Sequence, residues 1–172
     1  LRQNIITGLS RQQVFLSKIL LILALAAVFT LYYLIVGLIY GFLHTELISA
    51  SLIFGTAGPW IIGRYFLMCV GYLGLGFFFG MLTRRTGLAI FLFLIYSMFL
   101  ELFLRWVVHL NAIQHRSMIF YPVNSINYLM PVPIMQNEVK QTGRELGFSF
   151  IMEPWEAAIT LSIYLAIFFF LS

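Results

Sequence analysis

Hydrophobic positions along this chain gather into four long runs separated by short polar stretches. Ile19 to Leu43 is apolar apart from Thr30 and the glycines Gly37 and Gly41, and Trp60 to Leu82 carries a single charge, Arg64, near its start. Leu88 to Val108 holds Glu101 and Arg105 toward its end, and the run from Trp155 is still apolar at Ser172. A hydrocarbon core about 30 Å thick needs roughly 20 apolar residues of helix, with about 17 as a lower bound. The pattern therefore predicts an all-α polytopic membrane protein, a single transmembrane domain over 1–172 with spans at 19–43, 60–82, 88–108 and 155–172. The first residue is not methionine and the last run has no polar flank, so the expectation is a segment of a longer protein. A cleaved signal peptide is a poor reading of the first run, which is too long and is followed by three more.

The stretches between the runs carry their own signals. Residues 109–154 form the longest of them, and its first part, "MIFYPVNSINYLMPVP", is too apolar for a free loop and is broken by Pro122, Pro131 and Pro133. It is expected to be re-entrant or to lie in the interface, with Phe120, Tyr121 and Tyr128 at headgroup depth. Gln136 to Gly147 is polar and should face water.

The beginning, "LRQNIITGLSRQQVFLSKIL", reads as a short helix, a corner and a long helix. Leu1, Ile5 and Leu9 share one face with Ile6 beside them, while Arg2, Gln3, Asn4 and Thr7 point elsewhere. Gly8 offers a helix stop. Ser10 with Gln13 fits a capping box and Leu9 with Val14 its hydrophobic staple, so a new helix should start at Ser10 and run into the first span. Residues 1–16 are thus either an amphipathic anchor on the membrane surface or a docking element for a cytoplasmic partner.

Composition agrees with the pattern: 62% of residues are hydrophobic, 9% are charged and the mean hydropathy is +0.98. Soluble domains carry about a quarter charged residues. The lone cysteine, Cys69, permits no disulfide within the chain and no thiolate metal site. All six acids are glutamates, and the net charge is +4. The distribution of charge matters more than its sum. Arg2, Arg11 and Lys18 precede the first span, and "TRRTG", with Arg84 and Arg85, links the second to the third. Under the positive-inside rule these ends are cytoplasmic, and residues 44–59 and 109–154 lie outside. These basic residues are those that topology requires, so nucleic-acid binding is not expected.

Candidate chemistry is sparse. Glu101, Arg105 and His109 are spaced four apart and share one helix face. At 1.5 Å per residue Glu101 lies about 24 Å above Arg85, while Arg105 and Arg64 reach similar heights, so the carboxylate is positioned to pair with either arginine. Ionisable groups in a span are functional candidates by default. The alternatives are an internal ion pair locking the second and third spans, or a polar lining of a translocation path. Gly37 with Gly41, and Gly76 with Gly80, stand at the spacing that lets helices approach closely, with Gly71 and Gly74 nearby. His44, His109 and His115 lack metal-site company, so no metal is assigned. There is no phosphate-binding Gly-x-x-x-x-Gly-Lys-Ser/Thr loop, nucleophile elbow or zincin motif.

"RQNIITGLSRQQVFLSKIL" resembles the cytoplasmic segment before the third span of bacterial type-2 ABC transporter permeases, where a Gly-Leu-Ser-Arg turn, an aromatic and a lysine precede the membrane. The further spans and the proline-broken outer segment are similar in pattern, so the chain resembles the last four of six spans. The first two spans, the amino-terminal interfacial helix and the end of the last span fall outside it. The resemblance implies a coupling helix that meets an ATP-binding subunit through Ile5, Ile6, Gly8, Leu9, Ser10 and Arg11. It also implies a second permease subunit, identical or not, and the bacterial cytoplasmic membrane. ATP and magnesium would belong to the partner, this chain having no cofactor and no catalytic residue of its own. The rival from another class is a non-transporting membrane scaffold that recruits a cytoplasmic partner. A weaker one is a membrane-embedded enzyme using Glu101 and His109.

The orientation is directly testable. In a Cys69→Ser background, Thr86→Cys and Gln141→Cys are expected to react with an impermeant thiol reagent from opposite faces of the membrane. Labelling of both from outside intact cells would overturn the four-span topology.

Overall fold

The computed structural model describes residues 11–44, 57–83, 85–112, 115–130 and 151–171, and every regular element among them is helical. In chain order these are α1 (Arg11–His44), α2 (Ala57–Thr83), α3 (86–112), a 3-10 turn (Arg116–Phe120), α4 (Pro122–Tyr128) and α5 (Pro154–Leu171). Three helices are long and apolar enough to cross a membrane, over Gln12–His44, Pro59–Thr83 and Thr86–His109. The fourth run is also an apolar helix, Pro154–Phe170 within α5, about 25 Å long at 1.5 Å per residue over its described part. The expected coupling helix lies outside the described residues up to Ser10, while Arg11 already belongs to α1.

The chain divides into two compact units, residues 1–62 and 63–172. In the first, α1 is one uninterrupted helix of 34 residues. Leu20, Val28, Leu31, Tyr32 and Phe42 stand exposed along it. Such a surface suits lipid, which solvates apolar side chains but not backbone polar groups. The few hydroxyls comply by bonding locally: Thr30 Oγ1 donates to the Ala26 carbonyl at 2.7 Å, and Ser17 Oγ to Val14 at 2.8 Å.

In the second unit the core joins α2, α4 and α5 through Leu75, Val123 and Phe168. Aromatic rings surround it. Phe78 stacks on Phe168 at 5.0 Å, and Phe79 meets Tyr96 of α3 at 5.5 Å. Close approach falls at Gly71 and Gly74, not at the glycine pair expected from spacing. A methyl group at Gly71 would lie 2.9 Å from Leu161 Cδ2 and 3.0 Å from Ile126 Cγ1, and one at Gly74 would lie 2.6 Å from Leu165 Cδ2. Gly37, Gly76 and Gly80 have nothing within 4 Å. Spacing identifies a smooth helix face, but only the direction in which α4 and α5 pack decides which glycine is needed.

α3 departs from the regular helix expected of residues 88–108. After Thr86–Ile95 it widens into a π-helical turn, Tyr96–Leu100, returns to α at Glu101–Phe103, and widens again at Leu104–His109. The Glu101 amide accordingly bonds five residues back, to Tyr96. π-Helical turns inside α-helices often mark functional sites.

The proline-broken segment after α3 packs inward. Pro122 occupies the first turn of α4, and Pro122, Val123, Asn124, Ser125 and Ile126 are all buried, as is Leu129 after them. Gly71 on α2 makes room for this insertion. Gly71→Val is expected to lower the melting temperature in detergent, because overpacking costs about 1–3 kcal/mol. Gly76→Val, which points into open space, is expected to leave it nearly unchanged. Equal losses in the two variants would show that the seam at Gly71 is not a tight contact.

Candidate functional site

The start of α4 is a helix end without its own cap. Tyr121 precedes it in an extended conformation and makes no side-chain capping bond. The first N–H groups of any helix lack intrahelical acceptors, and in a lipid-solvated bundle water does not replace them. Glu101 of α3 supplies the acceptors. Its Oε2 takes the Val123 amide at 2.8 Å and its Oε1 the Asn124 amide at 2.6 Å, with only 4% of the residue exposed. Hydrogen bonds to charged groups contribute about 1.5–3 kcal/mol each.

Asn124 joins this carboxylate to Arg105. Its backbone donates to Glu101, its side-chain Nδ2 donates to the Ile119 carbonyl at 2.5 Å, and its Oδ1 accepts from Arg105 Nη1. Arg105 therefore meets Glu101 through Asn124, and no direct ion pair joins Glu101 to either Arg105 or Arg64. Among the described residues the ion pair is Arg116 with Glu156, at 2.9 Å. Arg64 sits half-buried on α2, and its Nε, like that of Arg105, is buried with no hydrogen-bond partner among the described residues. At the far end of α4, burial pushes the Tyr128 phenol above its ordinary value, and the charge of Arg105 acts in the opposite direction.

His109 completes the polar face of α3. Its Nε2 lies 2.9 Å from Ser117 Oγ, and its Nδ1 lies 3.5 Å from the Tyr121 hydroxyl. The spacing of Glu101, Arg105 and His109 thus does mark one face, and that face receives residues 117–124. The neighbouring helices reach the same segment: Tyr72 of α2 donates to Asn127 Oδ1 at 2.5 Å, and Tyr164 of α5 donates to the Phe120 carbonyl at 2.8 Å.

No protein-family model, curated protein or solved structure matches this chain. The geometry must speak for the site. It is a polar seat for a buried half-helix, in which Glu101 holds α4 by its first amides rather than by an ion pair with Arg64 or Arg105. No group of three or more His, Cys, Asp or Glu able to hold a metal occurs among the described residues. Ile5, Ile6, Gly8, Leu9 and Ser10 lie outside the described residues, so nothing brings them to this site.

Sequence reasoning passed over Asn124, Ser117, Tyr72 and Tyr164. One signal for them was available. Pro122 at a helix start, followed by an apolar valine, announces free N–H groups in a place where lipid offers no acceptor.

Glu101→Gln replaces one accepting oxygen by a donor facing an amide N–H, and is expected to cost about 1–3 kcal/mol, read as a lower melting temperature in detergent. Asn124→Ala should act in the same direction. The exchange Glu101→Arg with Arg105→Glu is expected to recover nothing, since the acceptor is needed at the α4 amides. Recovery to wild-type stability in the exchanged protein would restore the direct ion pair and dismiss the helix anchor.

Proposed function

We propose that the chain is the membrane-spanning part of an ATP-driven type-2 ABC exporter permease, coupling hydrolysis in a separate ATP-binding subunit to movement of a substrate across the bacterial cytoplasmic membrane. The observation that carries this reading is the opening segment taken together with α1. The Gly-Leu-Ser-Arg sequence stands immediately before and at the start of a helix that is unbroken from Arg11 to His44. Its 34 residues extend about 51 Å, roughly 20 Å more than the hydrocarbon core requires. A helix of that length is a stiff lever. Arg11 and Lys18 stand on the excess turns at the basic end, which the positive-inside rule assigns to the cytoplasm.

In this reading the face of Ile5, Ile6 and Leu9 and the corner at Gly8, Ser10 and Arg11 meet the ATP-binding subunit, which supplies ATP and magnesium. Closure of two such subunits pushes the corners, and the paired permeases respond by rigid-body rocking of their helices. Glu101 and Arg105 act by holding α4 in place, and any lining of the path by Arg64 is a further part of the proposal. The seat of α4 also favours a second reading, a non-transporting scaffold, because it uses the polar groups of α3 internally.

The test is Arg11→Glu in the complex reconstituted with its ATP-binding subunit. It reverses a charge at the contact while leaving the Ser10 cap and the face of Leu1, Ile5 and Leu9. Membrane insertion should survive, and co-purification with the ATP-binding subunit or substrate-stimulated ATP hydrolysis should fall several-fold. Ser10→Ala controls for loss of the cap. A plain surface anchor would lose only about 1 kcal/mol of attraction to anionic lipid. Full assembly and coupling in both Arg11→Glu and Leu9→Asp would leave the scaffold or anchor in place of the permease.

A further inference from the structure

The turn that leads into α4 is held by a chain of hydrogen bonds that ends on a capped amide. His115 is the cap of the 3-10 turn Arg116–Phe120, and its Nδ1 accepts the Ser117 backbone N–H at 3.1 Å. An imidazole nitrogen that accepts from an amide carries no proton. The Ser117 hydroxyl lies 3.2 Å from the same Nδ1 and 2.9 Å from His109 Nε2, and His109 Nδ1 lies 3.5 Å from the Tyr121 hydroxyl. Tyr121, His109, Ser117 and His115 thus form one chain of contacts, and the bond whose direction the backbone fixes is the one to His115.

The two histidines respond differently to a proton. His109 with both nitrogens protonated still donates from Nε2 to Ser117, and its Nδ1 turns to donate to the Tyr121 oxygen. His115 protonated at Nδ1 loses the capped amide, because two donors then face each other, and keeps only the Ser117 oxygen as an acceptor. His115 is also exposed, so the proton arrives without opening the fold. Among the described residues the charged and titratable groups around the turn are Arg105 and His109 on α3, Arg116 and Tyr121 on the turn and its exit, and Glu153, Glu156 and Tyr164 at and within α5. Arg116 is held by both oxygens of Glu156 at 3.0 and 2.9 Å, and Arg105 by Asn124.

We propose that His115 is a proton-sensitive cap, which couples acidity on its side of the membrane to the anchoring of the turn that feeds Pro122 and Asn124 onto Glu101. The sign follows from the bonds. The cap exists while Nδ1 is bare and is lost when Nδ1 takes up a proton. The proposal stands whether the chain is a permease or a scaffold, because it concerns this turn alone.

Hydrogen–deuterium exchange of the peptide containing Ser117, on the full chain in detergent and corrected for the intrinsic rate, tests it at about pH 7.5 and about pH 5.5, across the range in which histidine side chains as a class change charge. Protection of the turn in the wild type should fall about five-fold on acidification, the factor that loss of a typical cap produces. Asparagine caps equally well and does not titrate. His115→Asn should therefore remain protected at both values, and His115→Ala should be unprotected at both. Equal wild-type protection at the two pH values overturns the proposal, and so does a pH dependence that persists in His115→Asn.

Discussion

A carboxylate placed among apolar helices must be met by donors, and the free N–H groups at the start of a buried helix must be met by acceptors. Glu101 and α4 answer both requirements together. The two oxygens of Glu101 take the amides of Val123 and Asn124, so neither group is left to the lipid. The helix dipole adds to the match, because the positive end of α4 faces the negative group. Without the carboxylate, Pro122 would start a helix whose first turn had no partner. Without α4, Glu101 would be an unpaired charge on an apolar helix long enough to cross a membrane.

That single contact determines how the rest of the second unit packs. Because α4 lies inside the helices, α2 must present a glycine where Ile126 and Leu161 come close, and Gly71 does so. Tyr72, Tyr164, Arg105 and His109 then reach the inserted segment from three helices. Apolar contact selects weakly among arrangements in a lipid solvent, since side chains find similar surroundings in the bilayer. Polar contacts discriminate better, for each has one geometry that satisfies it. The π turns on either side of Glu101 belong to the same arrangement, with the carboxylate held on an α turn between two widened ones.

The proposed division of labour follows the same physics. α1 is long and uninterrupted, and Ser17, Thr30 and His44 bond to carbonyls of their own helix, which suits an element that transmits force along its axis. The second unit gathers its buried polar groups in one seat, which suits an element that keeps its shape. A permease and a scaffold both need such a pairing. They differ in whether an ATP cycle acts on the corner at Arg11.

The all-helical class and the three long spans follow from sequence alone, because twenty apolar residues in a row have one low-energy state in a bilayer. The common face of Glu101, Arg105 and His109 was legible for a related reason: helical periodicity is a local property, and the π turns did not carry any of the three away from residues 117–124. What that face meets was not legible. Asn124 and the amide of Val123 lie more than twenty residues further along, and no local pattern assigns an acceptor on one helix to donors on another. The two arginines at similar heights made an ion pair the simplest guess, whereas packing put a helix start against the carboxylate. Gly71 in place of Gly76 was decided in the same way. Sequence determines which residues are polar, apolar or small along each helix; only the tertiary structure decides which of those residues face each other, because that depends on how helices distant in sequence come to lie together.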